Sequence, residues 1–491
     1  MNYTLEWYTI EPFADRQILF LEGIMTAAKR KKNEVDMING PLLPKILIFS
    51  ATVFLTNLMQ LLFNTSDLVV VGRFAGNDAL GAVGATGALT TLFVNLFIGF
   101  SVGVSVVCTH CYGSGDMKGF RETVTTSVSL SAICGTILAV GGFFLSRGML
   151  ELMDTPESLL TMAADYLKIY FLCMPALMFF NYGAAVLRSI GNTKTPMIIL
   201  GVSGLTNVVL NLIFVIVFKL GVIGVALATT VTQYQSAVML IIHMKRTDSA
   251  YKIEKLSFKI YRDKLKKIMY IGIPNAIHGT IISLSNVFIQ SSLNTFGDVA
   301  VTGSSAAANV ESYVYQALNC FYQSSLNFVG QNFGAGKFDR IRRVQVICYT
   351  SVVICGLVLG VGAYLGGGQL MKIFIDDSAT SELAIAYGLE RMKMICAPYF
   401  LCGLMEVLTG VLCGLGRSVS PTIVSVLGFC GVRVIWILTV FKYHHTLTVL
   451  YASYPVSWII SFIALFSVYL YVRHKTFPKK GSAAPLQKAA G

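Results

Sequence analysis

Residues 44–74 read PKILIFSATVFLTNLMQLLFNTSDLVVVGRF and form the first long apolar stretch of the chain. The stretch holds about 20 apolar residues, enough for a helix to cross a hydrocarbon core roughly 30 Å thick. Asp67 lies near its end, where a carboxylate is costly in lipid, and ionisable residues within membrane segments mark ion or substrate pathways by default. The stretch therefore predicts a membrane helix that carries a working carboxylate.

The composition of the whole chain points to a protein built almost entirely of such segments. Of the 491 residues, 55% are hydrophobic and only 13% are charged, whereas soluble globular proteins contain about 25% charged residues. We therefore predict an all-α polytopic membrane protein with twelve transmembrane helices. The twelve apolar runs lie at about 45–72, 79–107, 123–146, 160–187, 196–218, 221–243, 267–294, 300–330, 344–366, 383–414, 420–441 and 447–472.

The distribution of basic residues predicts the orientation of the chain. Most of the 38 Lys and Arg residues lie in alternate loops and in the two tails, and the loop 245–266 is the longest and most basic. Cytoplasmic loops carry this excess, so both termini are predicted to be cytoplasmic in a multi-pass protein of the inner (plasma) membrane. Topology thus accounts for the net charge of +13, and no nucleic-acid partner is expected.

The first residues and the cysteines indicate no processing or redox chemistry. Acidic residues interrupt any apolar core within residues 1–36, which does not fit a secretory signal. We interpret residues 1–40 as a cytoplasmic extension and leave open whether translation begins at Met25 or Met37. The eleven cysteines lack the spacing of a zinc site and are expected to be buried thiols. No cofactor and no structural metal is expected.

Two glycine-rich turns occur in both halves of the chain. Residues 111–116 read CYGSGD and residues 332–337 read NFGAGK, an offset of 221. Residues 191–196 read GNTKTP and residues 416–421 read GRSVSP, an offset of 225. Two turns in nearly equal register indicate a duplicated chain.

The duplication predicts two six-helix lobes related by pseudo-two-fold symmetry. Six helices per half is an even number, so the halves point the same way and their axis runs along the membrane normal. The predicted boundaries are an N-lobe at 41–244, a basic cytoplasmic loop at 245–266, a C-lobe at 267–473 and a cytoplasmic tail at 474–491. Substrate is expected to bind between the lobes.

Several segments, taken as a set, resemble those of a known transporter family. They are DLVVVGR at 67–73, ALGAVG at 79–84, LRSIGNTKTP at 187–196, GVIGVALAT at 221–229 and QNFGAG at 331–336. On these segments the chain, over about residues 40–475, resembles the multidrug and toxic compound extrusion (MATE) family in its bacterial, Firmicutes-like branch. The resemblance implies a V-shaped twelve-helix antiporter that exports organic cations and dyes in exchange for Na⁺ or H⁺.

The resemblance also implies a cation site in the N-lobe. The family pattern of an Asp on the first helix, an Asn and an Asp on the fifth and a Thr on the sixth falls on Asp67, Asn207, Asn211 and Thr229. Asn211 departs from it, because many relatives carry a second carboxylate there. Asp67 would bind Na⁺ or a proton, and the other side chains offer neutral oxygens suited to Na⁺. The alternatives are a solvated helix-end Asp67 and plain interhelical hydrogen bonds.

Polar residues within the predicted C-lobe spans form a second group of candidates for substrate binding. Glu406 and Arg433 are predicted to pair between the tenth and eleventh helices, with a substrate role as the alternative; of the basic residues, we take only Arg433 to lie clearly within a span. Glu311 either binds a lipophilic cation beside tyrosines or anchors the helix at the interface. His278 is predicted to be a hydrogen-bonded core histidine. The candidates are His278, Asn286, Gln290, Glu311, Tyr315 and Glu406.

These features favour a secondary active antiporter that exports cationic or amphipathic drugs by alternating access of two lobes. Its expected partners are small organic cations, Na⁺ or H⁺ and the lipid bilayer, and we expect a monomer. The chain contains no GxxxxGK[ST], GxSxG or HExxH motif, so neither ATP-driven transport nor an enzyme is expected. Two alternatives stay open: a lipid-linked sugar flippase of the same superfamily, which a basic lumen would favour, and a membrane transferase.

Overall fold

The structure, a computed structural model, describes residues 34–247, 249–252, 258–375 and 380–477, and all regular elements within these ranges are helical. The possible start at Met25, most of the extension 1–40 and most of the tail 474–491 lie outside the described residues. The α-helices are α1 Leu42–Phe74, α2 Asn77–Ser114, α3 Met117–Glu151, α4 Glu157–Leu172, α5 Met174–Ser189, α6 Lys194–Leu212, α7 Gly221–Arg246, α8 Arg262–Leu293, α9 Asp298–Gly334, α10 Phe338–Leu365, α11 Gly367–Met371, α12 Ser381–Ile395, α13 Tyr399–Gly414, α14 Val419–Val424, α15 Val432–Trp436 and α16 Leu447–Thr476.

Each of the twelve predicted spans corresponds to one helix or to one interrupted helix. Within the described ranges, nine segments are long and apolar enough to cross a membrane alone, and the bent pairs α4–α5 and α12–α13 raise the number to eleven. The remaining predicted span is α9, a continuous helix of 37 residues. The prediction of an all-helical, twelve-span protein is thus confirmed.

Helix α9 carries many polar residues for a membrane span, and it lies inside the protein. Most of its residues are buried, including Ser324, Ser325 and Asn327. It packs against α10, α12 and α13 of its own lobe and against α1 and α2 of the other. Serine and asparagine side chains are tolerated there because neighbouring helices, rather than lipid, surround them.

The two halves share irregularities that the glycine-rich turns alone did not predict. The pairs α4–α5 and α12–α13 both bend by 47°, at Pro175 and Pro398 respectively, because proline cannot donate the backbone hydrogen bond that would continue the helix. A π-helical segment also ends the fifth span of each half, at Ile213–Val217 and at Ile437–Phe441. The matching positions agree with the two related lobes.

The lobes meet at one end of the molecule, where α1 begins and α2 and α9 end; we call this the closed end. Ser50 and Ser324 share a hydrogen bond of 2.7 Å between their hydroxyls. Gln331 Nε2 donates to the backbone oxygen of Ser189 at 2.6 Å, and His110 Nε2 donates to that of Gly414 at 2.7 Å. All three contacts join the N-lobe to the C-lobe.

Helices α2 and α8 approach so closely toward the closed end that only glycine fits between them. A Cβ atom on Gly99 would lie 2.4 Å from the backbone of Ala276, and one on Gly103 would lie 2.3 Å from the backbone oxygen of Ile268. Small residues at membrane helix interfaces permit this approach. The first helix of the C-lobe is therefore held against the N-lobe.

A short segment before α1, residues 34–41, lies across both lobes at the closed end; we call it the strap. Val35 donates its backbone N–H to Gly191 in the N-lobe at 3.1 Å. The backbone oxygen of Met37 accepts from Asn332 Nδ2 in the C-lobe at 3.1 Å, and its side chain is fully buried. Arg340 donates to the backbone oxygen of Gly40 at 3.1 Å. A chain that began at Met37 would lack the strap residues that contact the N-lobe.

At the other end the lobes separate, which gives the V shape. The apolar cluster there contains Val70, Val83, Tyr166 and Val222, and all its buried members belong to the N-lobe. Leu62 and Leu68 on the outer half of α1 are exposed. The cleft between the lobes therefore opens away from the closed end.

Candidate functional site

The four residues that the sequence proposed as a cation site come together in the N-lobe. Asp67 lies near the end of α1, Asn207 and Asn211 lie one turn apart on α6, and Thr229 lies on α7. Residues four apart in a helix point to the same face, and that face of α6 turns toward both neighbouring helices. The four-residue spacing of Asn207 and Asn211, which matches the family pattern, places both amides toward Asp67 and Thr229.

Direct hydrogen bonds connect all four side chains. Asn211 Nδ2 donates to Asp67 Oδ1 at 2.5 Å and to Asn207 Oδ1 at 3.2 Å. Thr229 Oγ1 donates to Asp67 Oδ2 at 3.4 Å, and Asn207 Nδ2 lies 3.5 Å from Thr229 Oγ1. Asp67 is only half-buried, whereas Asn207 and Asn211 are buried.

The cluster contains one buried oxygen without a partner. Asn211 is fully buried, and its Oδ1 accepts no hydrogen bond from the described residues. Turning the amide over would instead place this oxygen beside the Asp67 carboxylate, and a cation between the two would then stabilise both. Carboxylate, amide and hydroxyl oxygens are the ligands that hard cations such as Na⁺ prefer. The residues present therefore fit a small cation.

A fifth hydrogen-bonding residue and two tyrosines complete the surroundings of the cluster. Thr232, one turn after Thr229, lies 3.5 Å from Asn207 Nδ2. Tyr166 and Tyr170 on α4 stack at 6.0 Å between ring centroids and lie within electrostatic range of Asp67. Sequence reasoning missed all three, although Thr232 follows Thr229 at the spacing of one helical turn.

In the C-lobe, Glu311 forms an ion pair that the sequence did not predict. Arg391 on α12 donates from Nε and Nη2 to the two Glu311 oxygens at 2.9 Å and 2.8 Å. Arg391 Nη1 also donates to Ser304 at 2.9 Å. Both charged residues are buried, so the Glu311 charge is already neutralised and is not free for a cationic substrate. The view that only Arg433 lies clearly within a span was wrong, because Arg391 falls within the predicted run 383–414.

The predicted pair of Glu406 with Arg433 is wrong in this structure. Arg433 on α15 instead extends to Ser457 on α16 at 3.2 Å and to Ser285 and Asn286 on α8 at 3.4 Å. A π-helical segment, Ser425–Gly431, directly precedes α15. Its wider turn changes the direction of the following side chains relative to a regular α-helix, so helix order did not identify the partner.

The remaining candidates are spread over the C-lobe. Glu406 is buried on α13, without an ion pair among the described residues, and lies within electrostatic range of Tyr315. Gln290 is exposed and donates to Asn294 at 3.0 Å. His278 is half-buried and makes no hydrogen bond to the described part of the chain, so the prediction of a hydrogen-bonded histidine was wrong.

The fold and these clusters together define a class of protein. Two related helical lobes enclose a cleft that is open at one end, and buried charged groups lie within membrane-spanning helices. This is the organisation of a polytopic membrane transporter. The MatE family model matches residues 53–213 and 274–439, which is more than half of the chain. The chain therefore belongs to the MatE family.

Relatives in Bacillus and Staphylococcus are similar over most of the chain. A protein of Bacillus subtilis (strain 168) named "Probable multidrug resistance protein YoeA" is 26% identical over 438 residues, which cover 87% of this chain and 93% of the relative. The "Multidrug export protein MepA" of Staphylococcus aureus (strain N315) is 21% identical over 388 residues, 79% of this chain and 85% of the relative. The Bacillus similarity agrees with the Firmicutes-like branch expected from the motifs.

Solved structures of MATE transporters share the fold. An outward-facing MATE transporter of the MOP superfamily aligns with a TM-score of 0.82 at 18% identity and covers 91% of this chain and 98% of that chain. The Vibrio cholerae MATE transporter VcmN aligns with a TM-score of 0.80 at 18% identity and covers 88% and 97%. At this identity the structures show the two-lobed fold.

Proposed function

We propose that this protein is a secondary active antiporter that exports cationic or amphipathic drugs in exchange for Na⁺ or H⁺. Family membership and the names of the relatives support multidrug efflux. The N-lobe cluster supports cation coupling, because it places one carboxylate among neutral oxygens inside a membrane helix bundle.

The single observation that carries the coupling proposal is the unpaired oxygen of Asn211, a residue whose amide nitrogen contacts Asp67. A buried amide oxygen without a partner costs free energy, and once the amide turns over, a cation bound between that oxygen and the carboxylate removes the cost. The same cation binds less well once the carboxylate and the oxygen move apart. A ligand that favours one conformation over the other is what alternating access requires.

The position of the cluster agrees with the expected direction of transport. The basic loops predict that the closed end is cytoplasmic, so the cleft of this structure opens to the outside. Asp67 lies in the outer half of α1, where an external cation can reach it. In the proposed cycle, cation binding at this site drives release of the drug to the outside and the return to the inward-facing state.

Dye efflux from proteoliposomes with imposed gradients tests this function. Vesicles that contain the purified protein are loaded with ethidium, and a Na⁺ gradient or a pH gradient is applied separately. We expect efflux that depends on one of the two gradients and stops when an ionophore collapses it. Efflux that proceeds equally without either gradient would exclude the antiport mechanism.

A lipid-linked sugar flippase would need several exposed basic residues in the cleft. The structure offers little support for it, because Arg391 is neutralised by Glu311 and Arg433 is almost fully buried. The relatives YoeA and MepA are named as a multidrug resistance protein and a multidrug export protein. We therefore retain the antiporter as the proposed function.

A further inference from the structure

The guanidinium of Arg433 is a buried charge whose hydrogen bonds are incomplete. Its residue is only 1% exposed. Nε donates to Ser457 and Nη1 lies 3.4 Å from the oxygens of Ser285 and Asn286. Nη2 has no hydrogen-bond partner among the described residues. The Nε and Nη1 edge of the guanidinium is thus directed at neutral oxygens, and Nη2 retains unused N–H donors.

No described carboxylate balances this charge. Ion pairs within 4.0 Å join Arg391 to Glu311 but none joins a carboxylate to Arg433 in the described ranges. Two aromatic rings cover the guanidinium instead, with the Phe429 centroid at 3.8 Å and the Tyr454 centroid at 4.0 Å. Ring faces stabilise a cation partly, but a buried charge in a membrane protein is usually paired with an opposite charge.

The helix next to Arg433 presents further buried donors without partners. Trp458 follows Ser457 on α16, packs edge-on against Tyr454 at 6.0 Å, and its Nε1 has no hydrogen-bond partner in the described ranges. Ser461, one turn further on, likewise has an unpartnered hydroxyl. An indole N–H and a guanidinium N–H can only donate, so any group that satisfies either of them must be an acceptor.

The position of Arg433 in its lobe matches that of the Asp67 cluster in the other lobe. The Asp67 cluster is built from α1, α6 and α7, the first, fifth and sixth spans of the N-lobe. The Arg433 cluster is built from α8, α15 and α16, the first, fifth and sixth spans of the C-lobe. The corresponding three-helix sites therefore carry a carboxylate in one lobe and a guanidinium in the other.

We propose that the C-lobe binds a single negative charge at Arg433, supplied by a small halide ion or by the carboxylate group of an aromatic substrate. The shared chemistry is one anionic acceptor held by Nη2 between the rings of Phe429 and Tyr454. A carboxylate would allow the transporter to accept zwitterionic as well as cationic compounds. This proposal does not rest on cation coupling at Asp67. Occupancy of the Arg433 site can be measured as binding to the purified protein, without transport.

The side chain of Asn286 marks a route from the cleft to this site. Asn286 is exposed while its Oδ1 contacts Arg433 Nη1. It lies beyond the close α2–α8 contact at Ala276, in the part of α8 that runs toward the open end. Gln290, one turn further on, is exposed as well. Exposed amides on a membrane helix fit a water-filled cleft rather than lipid, so an anion can approach along this face of α8.

Quenching of tryptophan fluorescence by bromide tests the proposal. The chain has three tryptophans, and replacement of Trp7 and Trp436 by Phe leaves Trp458 as the reporter beside the site. Bromide bound at Arg433 would quench it saturably. We expect this saturable quenching to weaken at least tenfold in Arg433→Gln and to persist in Arg433→Lys, which keeps the charge. Lys442→Gln is the matched control, since it removes one exposed positive charge from the same lobe.

Competition in the otherwise unchanged reporter protein separates the two sources of the anion. Displacement of bromide by chloride and by benzoate indicates a general small-anion site, and displacement by benzoate alone indicates a site for substrate carboxylates. Benzamide, which is neutral, should not displace bromide. Quenching that rises linearly with bromide and is equal in Arg433→Gln, or displacement by benzamide as strong as by benzoate, would overturn the proposal. Asp67→Asn should leave the quenching unchanged, which separates this test from that of the antiport mechanism.

Discussion

Asn211 Nδ2 donates a hydrogen bond to Asp67 Oδ1 at 2.5 Å, which links α6 to α1 through a buried amide rather than through a second carboxylate. The amide cannot ionise, so among the four clustered residues Asp67 alone changes its charge. With a single ionisable group, this cluster can balance the charge of one bound cation or proton. We therefore expect every step of coupling at this site to depend on the Asp67 carboxylate.

Removal of the Asp67 charge should abolish coupled transport. In Asp67→Asn the cation loses its only charged ligand while the hydrogen bonds of the cluster can still form, so the fold should persist. We expect gradient-driven ethidium efflux to fall by about tenfold or more, the effect of losing at least 1.4 kcal/mol of cation binding. Transport is measured as ethidium uptake into inverted vesicles, whose cytoplasmic side faces outward, with matched protein levels.

The control for this substitution is Asp165→Asn, which removes a carboxylate of the same lobe from an exposed pair with Lys168. It should transport like the unchanged protein. Full activity of Asp67→Asn would reject the assignment of this residue and move the search for the coupling group to the buried Glu406.

Changes to the neutral ligands should produce smaller and opposite effects. Asn211→Asp adds a second carboxylate, so cation binding should tighten and release should become slower, which lowers turnover at saturating cation. Thr229→Ala removes one neutral oxygen worth about 1 kcal/mol and should weaken cation activation by roughly fivefold. Both are read from the dependence of the efflux rate on cation concentration. Weaker cation activation in Asn211→Asp would contradict the proposed coordination.

The sequence predicted the N-lobe cluster because the relevant information is local. Asn207 and Asn211 are four residues apart on a regular helix, and this spacing alone places them on one face. The match of Asp67 and Thr229 to a family pattern then supplied the neighbouring helices. No backbone irregularity occurs between Lys194 and Leu212, so the helical spacing remained valid up to Asn211.

The C-lobe could not be predicted in the same way, because its partners depend on irregular backbone. Two π-helical segments flank Arg433, and each changes the direction of the side chains around it. The pair between Glu311 and Arg391 joins α9 to a helix that bends from its continuation at Pro398. Hydropathy and charge counts contain neither the π turns nor the bend, so they could not identify which charges meet.

Loss of the strap should weaken closure of the lobes at the closed end. In Asn332→Ala the Met37 backbone oxygen loses the Asn332 amide and keeps only the longer contact from Arg340 Nη2 at 3.5 Å, a loss of about 1 kcal/mol. The equilibrium should therefore move toward separation at this end by roughly fivefold. Spin labels at Lys118 and Arg343, both exposed near the closed end, would report a longer inter-lobe distance by double electron–electron resonance.

Ser312→Ala is the matched control for this experiment, since Ser312 lies on the same helix and bonds only to the backbone of its own turn, at Asn309. It should leave the distance distribution unchanged. Removal of residues 34–36 should act in the same direction as Asn332→Ala, because Val35 supplies the contact to Gly191. An unchanged distance distribution in both strap variants would show that the strap does not contribute to closure.

The buried pair of Glu311 and Arg391 should be a structural connection whose two halves depend on each other. In Arg391→Gln, Glu311 loses both of its charged hydrogen bonds and becomes an uncompensated buried carboxylate. Breaking a buried pair in this way costs about 3–5 kcal/mol, so the melting temperature of the purified protein should fall clearly. The double variant Glu311→Gln with Arg391→Gln removes both charges and should recover much of the loss.

Lys168→Gln is the control: it breaks the exposed pair with Asp165 and should cost at most about 1 kcal/mol. Equal melting temperatures for Arg391→Gln and Lys168→Gln would show that the pair contributes no more than a surface contact, and Glu311 would again be available as a ligand for cationic substrates.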